Sequence, residues 1–526
     1  MQSRLPSLPL LVAGLFLVGD ARSAEPRSDP TAVEAGQAGP TPPVETGHGL
    51  VMVDYQSIPL RGYPPIDFAG VHALNQFTDW LWMGVGAHAP LVKGTYGGFM
   101  AFDATLHVEQ RIRGNLFADA GASLGGGAGG NSAQQAKVIA GAGGFLKAYA
   151  GLGYHFADFS AGVNVSRLRF TQSAIDGTQA ELFLQLPFSY TIGSYANAGR
   201  HYRPAAAPER PRAAAVAGDD LLVVGLDNLV QIRPKGDYKG TVNLVDAQFD
   251  HFVTDNAFLL FEGSIGYRGL PTYNQIFGGA GYRLALAPEV QLYAQLAVGS
   301  GGYAPVRIDT GPGLLVYPKL AAEYRLNDRL GLSLTGGYLF APKGSSRNVA
   351  VGAALNYHLS GDGAHAADGG SGDVVLGGHR FHVFQQTELL SKIGQRRQDD
   401  VRLLSLQLDD VVSDHVYVPL QASIAYSRFL GYPGYGELLA GLGLQTAAAP
   451  ERTLQAYVQL QSGINVHGLV VKPAAGLDIA LNDRLALFAQ VGETVTVNAA
   501  HLYPAQYRFR ATDVGLGLTY RFSLPR

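Results

Sequence analysis

The chain has 526 residues and a formal net charge of −3, and only 15% of its residues are charged, against about 25% in a typical soluble domain. This charge balance, without a basic stripe, argues against nucleic-acid binding. The absence of Cys excludes disulfides and thiolate chemistry, and a mean hydropathy of +0.07 is too low for a bundle of membrane helices.

The first 24 residues have the layout of a secretory signal peptide. Arg4 supplies a positive charge, an apolar run follows at 8–19, and small residues follow that run. Cleavage after Ala21 or Ser23 fits this layout, whereas cleavage after Ala24, where we place the end of the segment, puts Arg22 at the unfavourable −3 position. An N-terminal membrane anchor is the alternative, although the apolar run is short for a spanning helix. We therefore expect an exported chain.

Three segments without hydrophobic periodicity interrupt the remaining sequence. Pro, Glu, Thr and Gly dominate residues 25–47, Pro and Ala dominate 203–219, and Gly and Asp dominate 361–376. We interpret the first segment as a disordered linker and the other two as linkers. They separate three predicted β blocks, at 48–202, 220–360 and 377–526.

The blocks resemble one another. The second contains LNDRLGLS at 326–333, and the third contains LNDRLALF at 481–488. Both also contain the tripeptide APE, at 287–289 and 449–451. This spacing indicates an internal repeat, with the first block as a diverged third copy. Chance similarity between Gly-rich strands is the alternative for the first block.

The dominant hydrophobic period within the blocks is two. In LQAYVQLQ at 454–461, apolar residues alternate with Gln and Tyr, and the segment 514–522 alternates in the same way. Such alternation predicts β-strands with one apolar face and one polar or small face. Asn-Asp and Pro-Gly turn signals separate these segments. The sequence therefore predicts an all-β, antiparallel fold.

Alternating strands occur in soluble sandwiches and in transmembrane β-barrels. Export, strands of about ten residues, and a second face rich in Gly, Ala, Ser and Gln favour the membrane barrel, in which the apolar face contacts lipid. Two architectures fit. One is a single barrel of about 22 to 26 strands, and the other is three tandem barrels of about eight strands with filled interiors.

The last strand carries a sequence pattern known from a broad class of proteins. Gly517, Tyr520 and Phe522 match a glycine followed by two alternating aromatic residues. This pattern resembles the closing strand of Gram-negative outer-membrane β-barrel proteins, which the barrel-insertion machinery reads. The resemblance implies an outer-membrane location, with membrane lipid and that machinery as partners.

Candidate chemistry is sparse. His379 and His382 would face opposite sides of a strand, and the adjacent Asp409 and Asp410 are interpreted as turn or rim residues. We predict no catalytic residue, no metal site and no cofactor.

The two Trp residues, Trp80 and Trp82, are expected on one face of a strand. An interfacial aromatic belt is one interpretation of them, and a platform that stacks against sugars is the other.

These observations predict a porin-like passage or a role in surface-polysaccharide export, with polysaccharide as a further partner. A non-conducting structural or adhesive surface protein is the alternative, favoured if the barrels are small and filled. A membrane-embedded hydrolase is a third alternative.

Overall fold

The computed structural model describes residues 44–129, 139–202, 220–270, 273–303, 306–327, 329–358, 374–429, 433–447, 453–465, 468–499 and 508–525. The predicted signal peptide at 1–24 and the predicted linker at 203–219 lie outside these residues. The described part is almost entirely antiparallel β-strand, which confirms the all-β prediction. It contains no helix that is both long and apolar enough to cross a membrane.

Barrel 1 is a closed ring of eight antiparallel strands, because its first strand pairs with both its second and its eighth. The first strand begins at Val44, inside the segment expected to be a linker. A single 3-10 turn at Tyr195–Asn197 and a short strand, His201–Tyr202 (β9), follow the ring. The eight strands are Val44–Leu60 (β1), Tyr63–Gln76 (β2), Leu81–Ala89 (β3), Phe99–Arg113 (β4), Leu116–Gly129 (β5), Gly144–His155 (β6), Ser160–Phe170 (β7) and Asp176–Ser194 (β8).

Barrel 2 is a second closed ring of eight strands, completed by pairing of its first strand with its eighth. Its strands have 11 to 14 residues, enough to span the hydrocarbon layer when tilted. They are Leu221–Gln231 (β10), Val242–Phe252 (β11), Ala257–Arg268 (β12), Asn274–Ala287 (β13), Val290–Gly302 (β14), Leu314–Arg325 (β15), Leu330–Phe340 (β16) and Arg347–His358 (β17).

Barrel 3 closes in the same way, between its first and last strands. Its first strand begins at Val374, inside the expected linker at 361–376, and the short strand Arg396–Arg397 (β19) extends the first hairpin. The ring contains Val374–Ile393 (β18), Val401–Ser413 (β20), Val416–Ala425 (β21), Gly436–Gln445 (β22), Leu454–Asn465 (β23), Gly468–Ala480 (β24), Leu485–Ala499 (β25) and Phe509–Pro525 (β26).

The described strands therefore form three small barrels and not one wide barrel. Strand pairing between barrels 1 and 3 is confined, among the described residues, to short stretches such as that between Ser194 and Phe522. The repeated sequence motifs occupy equivalent places. Residues 326–333 lead from the sixth to the seventh strand of barrel 2, and 481–488 do so in barrel 3. Descent of the three rings from one repeated unit remains a prediction.

The two ends of each barrel differ. Turns of two residues, at 114–115, 288–289 and 414–415, lie at the end where each barrel's first strand begins, which we call the entry end, and barrel 1 has one more such turn, at 61–62, at the opposite end. The longest fully described connections, including 90–98 and 232–241, lie at the opposite, far end. Short turns at one end and longer loops at the other are typical of outer-membrane barrels.

Apolar side chains cover the outside of the barrels, and the inside combines buried polar and charged side chains with clusters of aromatic and aliphatic ones. On β16, Leu332 and Leu334 point outward, and Leu334 is 71% exposed. Their neighbour Ser333 points inward and is buried. The same alternation places exposed Val165 on barrel 1 and exposed Leu442 on barrel 3. This polarity is the inverse of that in a soluble protein and matches that of a membrane barrel.

The three barrels pack against one another through part of this apolar surface. Phe102 of barrel 1 and Leu406 of barrel 3 belong to one buried cluster, against which Ile276 of barrel 2 packs. The Gly-rich end of β5 allows close approach, because a Cβ at Gly126 would collide with the carbonyl oxygen of Ala425. Far-end loops add hydrogen bonds between barrels 1 and 2 and between barrels 1 and 3.

Candidate functional site

The most unusual polar feature is a buried Lys inside each barrel. Lys147, Lys319 and Lys472 each lie on the sixth strand of their ring, and they are the buried lysines of the described residues. Each points inward because the strand alternation sends its neighbours outward. A buried ammonium group is costly unless carboxylates or other acceptors compensate it.

In barrel 1, two carboxylates hold the ammonium. Lys147 Nζ lies 2.8 Å from Asp54 Oδ2 on β1 and 2.8 Å from Glu181 Oε2 on β8. All three side chains have no exposed surface. The ammonium therefore bridges the barrel interior between the sixth strand and the strand pair that closes the ring.

In barrel 2, Lys319 Nζ lies 2.6 Å from Glu262 Oε2 and donates a hydrogen bond to Gln248 Oε1 at 2.9 Å. Tyr317, two residues earlier, donates a hydrogen bond to Asp227. The cavity beside these groups has a volume of about 10 Å³. A space of that size holds about one water molecule.

In barrel 3, the charges form two layers. Lys472 Nζ donates to Gln386 Oε1 at 2.8 Å and lies 3.6 Å from Glu437 and 3.7 Å from Asp513. Nearer the entry end, Arg380 lies 2.7 Å from Asp409 and crosses the interior. Gln side chains from several strands connect the two layers.

Two histidines of barrel 1 lie on neighbouring strands, each opposite a glycine. Gly70 and His72 are two residues apart on β2, and Gly86 and His88 are two residues apart on β3. The register pairs Gly70 with His88 and His72 with Gly86. A Cβ at Gly70 would lie 2.7 Å from His88 Nδ1, and one at Gly86 would collide with His72. The glycines thus make room for two imidazole rings with centroids 5.0 Å apart.

Acidic and hydroxyl groups surround these imidazoles. His72 Nε2 lies 2.8 Å from Asp54 Oδ2, and His72 Nδ1 lies 3.2 Å from Thr105 Oγ1. His88 Nε2 lies 3.0 Å from Asp103 Oδ2. All of these side chains are buried. Asp54 therefore contacts both the imidazole of His72 and the ammonium of Lys147.

The predicted insertion-signal residues lie on β26. Gly517 faces the interior, where its missing side chain leaves space for Phe384 of the neighbouring strand. The Tyr520 ring lies 5.3 Å from that of Phe77, in barrel 1, and Phe522 belongs to a buried cluster with Ile192 of β8. Both aromatic residues thus help to hold barrel 3 against barrel 1. Recognition by the insertion machinery remains a prediction.

The two Trp residues do not share a strand face. Trp80 lies in the entry-end turn between β2 and β3 and is 52% exposed, whereas Trp82 lies on β3. The register pairs Trp82 with His107, whose side chain is buried inside barrel 1. Residues 77–80 form a turn, so the strand expected to carry both Trp residues begins only at Leu81. An interfacial position and a role in stacking against sugars both remain predictions for Trp80 and Trp82.

The polar pairs of β18 and β20 are divided between the two barrel faces. His382 and Asp409 point inward and lie 2.9 Å apart, while His379 and Asp410 point outward and lie 3.4 Å apart. The predicted divergence of the two histidines is confirmed. The interpretation of Asp409 as a turn or rim residue is wrong, because it lies in mid-strand and neutralises Arg380.

Sequence reasoning missed the interior charges. The lysines carry a signal, since each is a single charge within an otherwise uncharged alternating segment, as in YPKLAA at 317–322 and VVKPAA at 470–475. The two copies of Gly-x-His, at 70–72 and 86–88, are a second signal. Their spacing alone does not show that the strands pair in the register that brings the rings together.

No known protein family and no curated protein matches the sequence. Among solved structures, one from a study of designed transmembrane β-barrels is 15% identical, with 28% of this chain and 94% of that chain covered at a TM-score of 0.20. A ferric enterobactin receptor variant from Pseudomonas aeruginosa, in complex with enterobactin, is 10% identical. The match covers 91% of this chain and 81% of that chain at a TM-score of 0.29. The ferripyoverdine receptor of the Pseudomonas aeruginosa outer membrane is 9% identical. That match covers 92% of this chain and 72% of that chain at a TM-score of 0.29. These TM-scores are too low to assign a ligand or an activity to this chain.

Proposed function

We propose that this chain is a Gram-negative outer-membrane protein whose three barrels are closed to ions, and that it serves as a structural or adhesive platform at the cell surface. The observation that carries this proposal is the ion-paired Lys inside each barrel. Eight-stranded barrels have interiors that side chains can fill, and here the filling groups are held by charge-assisted hydrogen bonds.

The outer surface supports a membrane location. Exposed Leu and Val side chains, such as Leu334 and Leu442, would cost free energy in water and none in lipid. An apolar groove of about 850 Å³ on the outer wall of barrel 1, beside barrel 3, belongs to the same surface. We infer that membrane lipid is the partner of this face and that the far-end loops face the cell exterior.

The chain offers a direct test because it has no Cys, so that a single Cys substitution gives a unique label. Ser333→Cys would place a thiol inside barrel 2, and Leu334→Cys would place one on the outer wall one residue later. Lys239→Cys, in an exposed far-end loop, is the matched accessible control. Each variant is refolded into lipid vesicles before labelling.

We expect a water-soluble maleimide to label the Lys239→Cys chain and to leave the Ser333→Cys chain unlabelled until it is unfolded in urea. A fluorophore attached at position 334 before refolding should be quenched by bromine-bearing acyl chains and not by iodide in the water. Rapid labelling of the folded Ser333→Cys chain would show a water-filled interior and would contradict the proposal. Iodide quenching at position 334 would contradict the membrane location.

Porin-like passage and polysaccharide export remain predictions for this chain. A path through any one barrel would require its Lys cluster to separate, for example Lys147 from Asp54 and Glu181. The maleimide experiment distinguishes this role, because a conducting interior would expose position 333 to water.

A further inference from the structure

The imidazole pair of barrel 1 leaves two buried acceptors without a hydrogen-bond donor. His88 Nε2 lies 3.0 Å from Asp103 Oδ2, an ion-pair distance, and neither nitrogen of the His88 ring has a hydrogen-bond partner among the described residues. In a neutral imidazole the neighbouring carboxylate favours the proton on Nε2, which leaves Nδ1 as a lone-pair acceptor. Asp54 Oδ1, also an acceptor, has no hydrogen-bond partner there either. Both atoms lie within 2.8 Å of the place that a Cβ at Gly70 would take.

Two buried acceptors that face one gap are satisfied by a hydrogen-bond donor or by a cation between them. The charges nearby point the same way. Asp54, Asp103 and Glu181 carry three negative charges and Lys147 carries one positive charge, so the cluster has a net charge of −2 while both imidazoles are neutral. A divalent cation would cancel this charge. Protonation of both imidazoles would cancel it as well.

We propose that barrel 1 binds one divalent transition-metal ion between Asp54, His72 and His88. One possible ligand atom from each side chain lies within 4.8 Å of the others, and all three side chains are fully buried. On binding, the cation takes the lone pairs of His88 Nδ1 and His72 Nε2, and the proton that a neutral His72 holds on Nε2 moves to Nδ1, where Thr105 Oγ1 accepts it.

The donor set selects the class of metal. Two imidazoles and one carboxylate suit Zn²⁺ and its first-row neighbours, whereas Ca²⁺ and Mg²⁺ prefer oxygen ligands alone. The surrounding groups fit this role. Asp103 orients His88 through Nε2, and Thr105 contacts His72 Nδ1, which is the support that metal-ligating imidazoles commonly have.

Barrel 3 supplies a matched control. His382 is also buried, lies 2.9 Å from Asp409 and 2.7 Å from Thr519, and therefore has a comparable carboxylate and hydroxyl environment. Within the described residues, no second imidazole joins it in a metal-sized group. The affinity of a site that depends on the pair of imidazoles should fall in His88→Asn and stay unchanged in His382→Asn.

The experiment uses the untagged full chain, refolded into detergent after chelator treatment, with Zn²⁺ alone as the probe. Metal is present during refolding, because the site is buried, and the bound metal is measured by mass spectrometry after gel filtration. Co²⁺ replaces Zn²⁺ in a parallel sample, since its visible absorption reports imidazole coordination directly.

We expect one Zn²⁺ per chain, retained in His382→Asn and weakened at least about tenfold in His88→Asn and Asp54→Asn. Failure of the original chain to bind, or equal loss in His88→Asn and His382→Asn, would overturn the proposal and leave protonated imidazoles as the balancing charge. If the barrel 1 variants do not refold, the Co²⁺ spectrum of the original chain decides. Absorption bands of imidazole-bound Co²⁺ support the site, and their absence overturns it.

Discussion

Replacement of Lys147 by Met tests whether the interior ion pairs hold barrel 1 together. Met has nearly the same length, so the change removes charge and leaves little cavity. In the original chain Asp54 and Glu181 each lie 2.8 Å from Nζ, so the change leaves both carboxylates buried without their cation. Removal of one partner from a buried pair costs about 3–5 kcal/mol. At about 1.4 kcal/mol per factor of ten, the unfolding equilibrium should change about a hundredfold or more.

The two Trp residues of the chain, Trp80 and Trp82, make the measurement specific, because both lie in barrel 1. Their fluorescence during urea unfolding in detergent reports on this barrel. Lys93→Met, in an exposed loop of the same barrel, is the control and should be nearly neutral.

A second variant separates charge from packing. The triple change Lys147→Met, Asp54→Asn and Glu181→Gln removes the whole ion set, and we expect it to recover much of the lost stability, because no unpaired charge remains buried. If Lys147→Met unfolds at the same urea concentration as Lys93→Met, the ion pairs do not stabilise the barrel and the reasoning is refuted.

Three further changes test the surface and the turns. Gly126→Leu should cost about 1–3 kcal/mol and loosen barrel 1 from barrel 3 in hydrogen exchange, whereas Gly336→Leu, where a Cβ meets nothing within 4 Å, should not. Leu334→Arg should lower the free energy of folding into vesicles by about 2–4 kcal/mol, and Leu326→Arg, in an entry-end turn, should lower it far less. Equal losses for the two variants would argue against a lipid-facing wall. Asn482→Ala removes the acceptor for two turn N–H groups, and we expect a loss of about 0.5–1.5 kcal/mol in urea unfolding.

The strand content could be predicted from the sequence because the apolar period of two is a local property. Residues 454–461 alternate and form part of one strand. Strand ends were harder to predict. Val44 and Val374 begin strands inside Pro- or Gly-rich segments, because pairing with distant strands extends a strand beyond its apolar pattern.

The candidate site could not be predicted because it depends on register between strands that are distant in sequence. Lys147 meets Asp54 across 93 residues, and no local pattern reports that contact. Because adjacent carboxylates usually favour solvent, the sequence pair Asp409 and Asp410 indicates a position in a turn or at the barrel rim. The structure instead places its partner, Arg380, on the neighbouring strand, and that placement makes burial possible.

Single-channel recording of the refolded chain in planar bilayers tests the central claim most directly. The interior of each barrel is closed by a buried Lys and its acceptors. We therefore predict no discrete conductance steps when the chain is delivered to the bilayer by fusion of vesicles in which protease protection has verified its insertion. Large, stable steps from the inserted chain would show a water-filled path and would contradict the account of three sealed barrels.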